Sequence, residues 1–96
     1  MTDHVVTREV SGAQGRYVIR RNGEEAKLTY TVASPTLLSA DHTGVPDSFR
    51  GTGAGVALVS RMVQDARAEG FRITPRCSFV KAQYERHPEW VDAFAG

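Results

Sequence analysis

Apolar and polar positions alternate through the first half of the chain and change period near its middle. Val5, Val6 and Val10 mark a first extended segment, and residues 11–15 (SGAQG) read as a loop. Tyr17 to Arg21 reads as a second strand with Tyr17 and Ile19 on one face. Asn22-Gly23 tolerates the positive φ angles of a tight hairpin turn, so this strand should pair antiparallel with a third over residues 26–33. There Leu28, Tyr30 and Val32 alternate with Lys27, Thr29 and Thr31, one apolar face against one wet face. After the Ser34-Pro35 break, residues 36–45 read as a fourth strand. Residues 46–55 are too rich in Pro and Gly to continue it.

From about Gly53 the period becomes helical. Val56, Val59, Met62 or Val63, and Ala66 recur every three or four residues, with Arg61, Gln64, Asp65 and Arg67 elsewhere on the wheel, and Gly70 ends the helix. Phe71 to Thr74 is a short fifth strand stopped by Pro75, and residues 79–86 form a second helix halted by His87-Pro88. Trp90, Val91 and Phe94 are expected to pack back on the domain. The order predicts an α/β fold: a four-stranded antiparallel meander, a helix, a fifth strand parallel to the fourth by a right-handed crossover, and a short C-terminal helix. A chain of 96 residues builds one such core, so residues 1–96 read as a single domain.

Charge narrows the partners. Twelve Lys and Arg against eleven Asp and Glu leave +1, too little for a whole-molecule field that attracts nucleic acid or an anionic membrane, so any anion site is local. The single cysteine, Cys77, excludes an intrachain disulfide and a cysteine zinc cluster, and the start MTDHVVTREV lacks a signal peptide's basic end and apolar run. With no apolar run near the roughly 20 residues of a spanning helix, the expectation is a cytoplasmic protein. His4, His42 and His87 have no metal-ligand spacing, and no metal is expected.

The candidate chemistry lies in Arg50-Gly51-Thr52-Gly53-Ala54-Gly55, between a strand and the long helix. Glycines there let the backbone turn tightly and bring N–H groups to a ligand, and the helix start adds unpaired donors and partial positive charge. The expected guest is a phosphate or pyrophosphate; the rival reading is a plain tight turn. A P-loop would need Gly-Lys followed by Ser or Thr, and the loop holds no lysine. The dinucleotide fingerprint needs a different glycine spacing and an acidic residue after a second strand.

Arg50-x-x-Gly53-x-Gly55 before an amphipathic helix resembles the acetyl-CoA loop of GNAT-type N-acetyltransferases, and the strand order is similar too. More narrowly, the chain resembles the small single-domain GNAT-like proteins. It carries their His-Thr-x-Val as His42-Thr43-Gly44-Val45, then the Gly loop, then Pro75-Arg76-Cys77, Phe79-Val80 and His87-Pro88-Glu89-Trp90.

The resemblance implies that the pyrophosphate of acetyl-CoA rests on loop N–H groups from Gly51 through Thr52, Gly53, Ala54 and Gly55 to Val56, with Arg50 beside it. The pantetheine would lie between strands four and five, along backbone groups of His42, Thr43 and Val45. Cys77 would be a buried residue or line the pantetheine, or act as nucleophile, a role that needs a positive partner or base to make its thiolate. Tyr84, seven residues after Cys77, would protonate the departing thiolate or serve only as a packing residue. Related members often carry Glu where this chain has Gly44. Strict alternation puts Ala40, His42 and Gly44 on one face, so His42 would stand beside that gap, as the base or as a structural histidine. His87 and Trp90 read as packing and a helix stop.

The function implied is acetyl transfer from acetyl-CoA to a primary amine. The acceptor side should be shallow, suiting a protein or peptide amine or a homodimer partner that completes the site. Two rivals are a CoA-binding regulatory module without turnover, favoured by Gly44, and an interaction domain using exposed Trp90 and Phe94.

Overall fold

In the computed structural model, which describes residues 4–95, five strands form one sheet in the order β1-β2-β3-β4-β5. Strands β1 (Thr7–Ser11), β2 (Gln14–Arg21), β3 (Glu24–Ser34) and β4 (Leu37–Gly44) make the antiparallel meander. A 3₁₀ turn, Asp47–Phe49, leads to helix α1 (Ala54–Glu69), and β5 (Arg72–Pro75) returns parallel to β4. Helix α2 (Ser78–Arg86) and a 3₁₀ segment, Pro88–Ala93, complete the chain.

The β2–β3 turn is as expected: Asn22 and Gly23 take φ of 51° and 78°, the left-handed pair that matches strand twist. The expected loop at residues 11–15 is corrected. Ser11 pairs with Gln14, so residues 12 and 13 alone make the turn. Gly15 is a strand residue rather than a loop residue, and the Tyr30 ring lies over it, 2.3 Å from where a Cβ would stand.

Tyr17, Ile19, Leu28, Tyr30, Leu38 and Ala40 give the sheet one apolar face, which packs against Leu58, Val59, Met62 and Val63 of α1 and Val80 of α2. Arg8 ties the edge strand to α1, donating to the Tyr30 hydroxyl and to Asp65, while the Tyr17 hydroxyl donates to the same Asp65. Trp90 and Phe94 do pack back and are buried, whereas Val91 is exposed, against expectation. The interaction-domain reading thus loses the exposed aromatics it relied on. Among the described residues no helix is long and apolar enough to cross a membrane.

Two features of β4 position the site. Its pairing with β5 runs from Leu37↔Arg72 to Ala40↔Pro75 and stops, so residues 41–44 have only β3 beside them. A bulge also interrupts the alternation: Tyr30 pairs with Ala40 but Thr29 with His42, leaving Asp41 as the extra residue. Ala40 and Thr43 therefore face the helices, while Asp41 and His42 both face the open side. The expected sharing of a face by Ala40 and His42 is corrected by this one inserted residue.

Candidate functional site

Within the described residues, the loop before α1 leaves alternate N–H groups free. The N–H of Arg50 donates to the Asp47 carbonyl, that of Thr52 to the Phe49 carbonyl, and that of Ala54 to the Thr52 hydroxyl. The first helical bond is from the Ala57 N–H to the Gly53 carbonyl. The N–H groups of Gly51, Gly53, Gly55 and Val56 have no acceptor among the described residues. Thr52 and Ala54, expected to offer N–H groups to the ligand, instead fix the shape of the loop. The Thr52 hydroxyl donates to the Phe49 carbonyl at 2.5 Å, and its carbonyl accepts from His4 Nε2 at 2.7 Å. Phe49, buried, anchors the assembly in the core.

The glycines serve different ends. Gly51 and Gly53 take φ of +77° and +78°, which only the backbone requires, since nothing lies within 4 Å of a Cβ at either. Gly55 has helical geometry, and a Cβ there would stand 2.5 Å from the Phe79 ring. Its bare Cα admits α2, a packing role in addition to its free N–H.

Arg50, Gly51, Gly53, Ala54, Gly55 and Val56 line a cleft of about 230 Å³ closed by Val45, Phe49, Phe79 and Gln83. Arg50 is held by Asp47 at 3.3 Å and otherwise extends into solvent, free to meet an anion. Arg61, the other arginine near the helix start, is occupied by Asp65 and the Val6 carbonyl. Gln83 escaped the sequence reading because glutamine on an amphipathic helix reads as a solvent residue.

Cys77 sits where β4 and β5 part. Its N–H donates to the Ala40 carbonyl at 2.9 Å, and its Sγ lies 3.4 Å from Thr43 Oγ1. It is also the N-cap residue of α2, although the thiol makes no capping hydrogen bond. Burial pushes the thiol up, but the Thr43 hydroxyl and the N–H groups of Val80, Phe79 and Thr43 together outweigh it and hold the pKa below the ordinary thiol value. In place of a charged partner, the start of α2 and the Thr43 hydroxyl support the thiolate. The thiolate should form at lower pH than in an unstructured peptide. Iodoacetamide labelling against pH should show its midpoint below that of a free cysteine, and an equal or higher midpoint would contradict this.

The three catalytic candidates are not brought together. Tyr84 stacks on Phe94, with centroids 4.5 Å apart, and does not line the cleft. His42 lies on the exposed face, its Nε2 3.7 Å from where a Gly44 Cβ would stand, so it does adjoin the gap left by glycine. Cys77 and Thr43 meet on the opposite, helix-facing side. His87 stacks on Trp90 at 4.0 Å, in keeping with a packing role.

A five-stranded sheet parting at β4–β5, with a nitrogen-lined loop at the helix start beside the gap, defines the GNAT-like class of fold. The solution structure of a protein from Staphylococcus aureus named a GCN5-like putative N-acetyltransferase is similar. Its TM-score is 0.71 at 28% identity, covering 94% of this chain and 88% of that one. The family description GCN5-related N-acetyl-transferase matches residues 16–93. The chain belongs to that family. No curated protein matches it.

Proposed function

We propose that the protein transfers the acetyl group of acetyl-CoA to a primary amine. The observation that carries this reading is the set of four free N–H groups, at Gly51, Gly53, Gly55 and Val56, beside the opening between β4 and β5. Donors at a helix start suit a pyrophosphate, and Arg50, exposed at the cleft, adds positive charge. The strand opening suits an extended arm, with Thr43, Val45 and Cys77 along it. When bound, acetyl-CoA supplies a thioester carbonyl open to nucleophiles.

The chain's own groups have three tasks there. Backbone N–H groups of β4 beyond Ala40, with no β5 beside them, can polarise the carbonyl oxygen. The amine nitrogen forms a bond to the carbonyl carbon as the C–S bond breaks, and sulfur departs as thiolate. His42, on the open face, accepts the ammonium proton directly or through water. Tyr84, whose ring stacks on Phe94 and whose hydroxyl has no partner among the described residues, or water protonates the sulfur. The acceptor comes from the open face, where a groove of about 540 Å³ is lined by Glu9, Thr29, Thr31 and Asp41. Glu9 there is already paired with Arg16, which also lines the groove, and with Arg20, so Asp41 is the carboxylate left to favour a cationic amine, including a lysine side chain on a protein.

The second reading, in which Cys77 takes the acetyl group first, is favoured by its lowered pKa at the α2 start. Direct transfer predicts that Cys77→Ala retains turnover within about tenfold of wild type. It also predicts that intact-mass spectrometry finds no acetyl adduct on the wild type without acceptor. Loss of turnover in Cys77→Ala together with an adduct on Cys77 would establish the covalent route instead. Absence of CoA release with every amine in a panel, despite acetyl-CoA binding, would favour the regulatory module.

A further inference from the structure

Apart from the aromatic residues, Gln83 is the one buried residue with a polar side chain among the described residues, 7% exposed on the face of α2 that also carries Phe79. Its carboxamide makes no hydrogen bond within the described residues, yet no fully enclosed side-chain polar atom is left unpaired. The carboxamide therefore keeps some contact with solvent, and Gln83 lines the same cleft as Gly51, Gly53 and Gly55. A leucine here would extend the apolar face of Val80 and Phe79 with no loss of hydrogen bonds. A glutamine held in such a place, without a protein partner, is matched to something that enters the cleft.

We infer that Gln83 is a recognition residue that pairs with secondary amides in the arm of the ligand seated on the Gly loop. The inference rests on the acetyl-CoA reading and deepens it. A primary carboxamide offers a donor and an acceptor side by side. Phosphate accepts only, which would leave Gln83 Oε1 unpaired, and the loop already provides N–H groups and Arg50 for phosphate. Secondary amides present both kinds of group: a C=O accepts from Gln83 Nε2 and an N–H donates to Oε1, and because the two point apart in a trans amide, pairing both Gln83 atoms takes two amides of the same arm. The pantetheine arm of CoA is built around such amides. Gln83 thus reads the arm, while the loop reads the phosphates.

The test compares wild type with Gln83→Leu by calorimetric titration and thermal melting. The ligands are CoA and its nucleotide half, ADP carrying a 3′-phosphate, which lacks the arm. The expected result is a CoA affinity about 5- to 100-fold weaker in the variant, the cost of an amide left unpaired. Nucleotide affinity should be unchanged, and the ligand-free melting temperature equal to or above that of wild type. A residue with a purely structural role would lower the melting temperature and leave the ratio of the two affinities alone. Equal losses for CoA and the nucleotide, or no loss for CoA, would overturn the assignment. A wild type that binds no CoA would overturn both this assignment and the acetyl-CoA reading, whereas normal wild-type binding with an unaffected variant removes only the former.

Discussion

Replacing Gly53 with Asp should weaken acetyl-CoA binding about 100-fold while the domain stays folded. Gly53 caps α1 at φ +78° and no atom lies within 4 Å of the Cβ position, so the new side chain enters open space beside the free N–H groups. Aspartate is among the residues that visit left-handed geometry, at a cost to the fold of about 1–2 kcal/mol. One carboxylate about 5 Å from one phosphate charge, at an effective dielectric near 20, is repelled by about 3 kcal/mol. That corresponds to about 100-fold in affinity. Gly53→Asn has the same backbone tolerance without the charge and should lose much less. Calorimetry on the two variants separates charge from shape, and an Asp variant that binds like wild type would place the phosphates elsewhere.

The second large effect should come from Phe49→Ala. Phe49 is 1% exposed, and its carbonyl accepts both the N–H and the hydroxyl of Thr52. Removing the ring leaves a cavity under the loop and should cost about 3–5 kcal/mol, a large part of the roughly 5–15 kcal/mol that holds a domain together. For a domain of this size, the melting temperature should fall by at least about 12 °C. Phe49→Leu keeps most of the volume and should retain most of the stability. If Phe49→Ala melts near wild type, the loop is not anchored as described.

The parts of this fold that sequence made legible are those governed by local rules. Asn22-Gly23 forces a particular turn, and the spacing of Val59, Met62, Val63 and Ala66 leaves one apolar face whatever the rest of the chain does, although Val56, read as part of that face, is exposed. The misreadings come from contacts between distant residues. Gly15 looks like a loop glycine until Tyr30, fifteen residues on, is seen to cover it in the adjacent strand. The β4 bulge at Asp41 has no composition signal, because the alternation it breaks can be recognised only against the register of β3.

The site divides in the same way. The glycine loop and its free donors were legible because positive φ and unpaired N–H groups at a helix start are properties of a short segment. The division of labour within the loop was not: Thr52 and Ala54 spend their N–H groups internally, and Gly55 makes room for Phe79. Cys77 as the first cap of α2 was hidden by Ser78, the residue type that usually fills that place. The stacking of Tyr84 on Phe94 depends on a C-terminal segment that pairs with β5 through Ile73 and Phe94.

The most direct measurement is a titration of the nitrogen-15-labelled protein with acetyl-CoA, followed by amide NMR. If the free donors hold the pyrophosphate, the N–H signals of Gly51, Gly53, Gly55 and Val56 should move more than those of Arg50, Thr52 and Ala54, whose protons are already engaged. The absence of any shift, or shifts confined to the open face around Thr29, Thr31 and Asp41, would contradict an acetyl-CoA site at the start of α1.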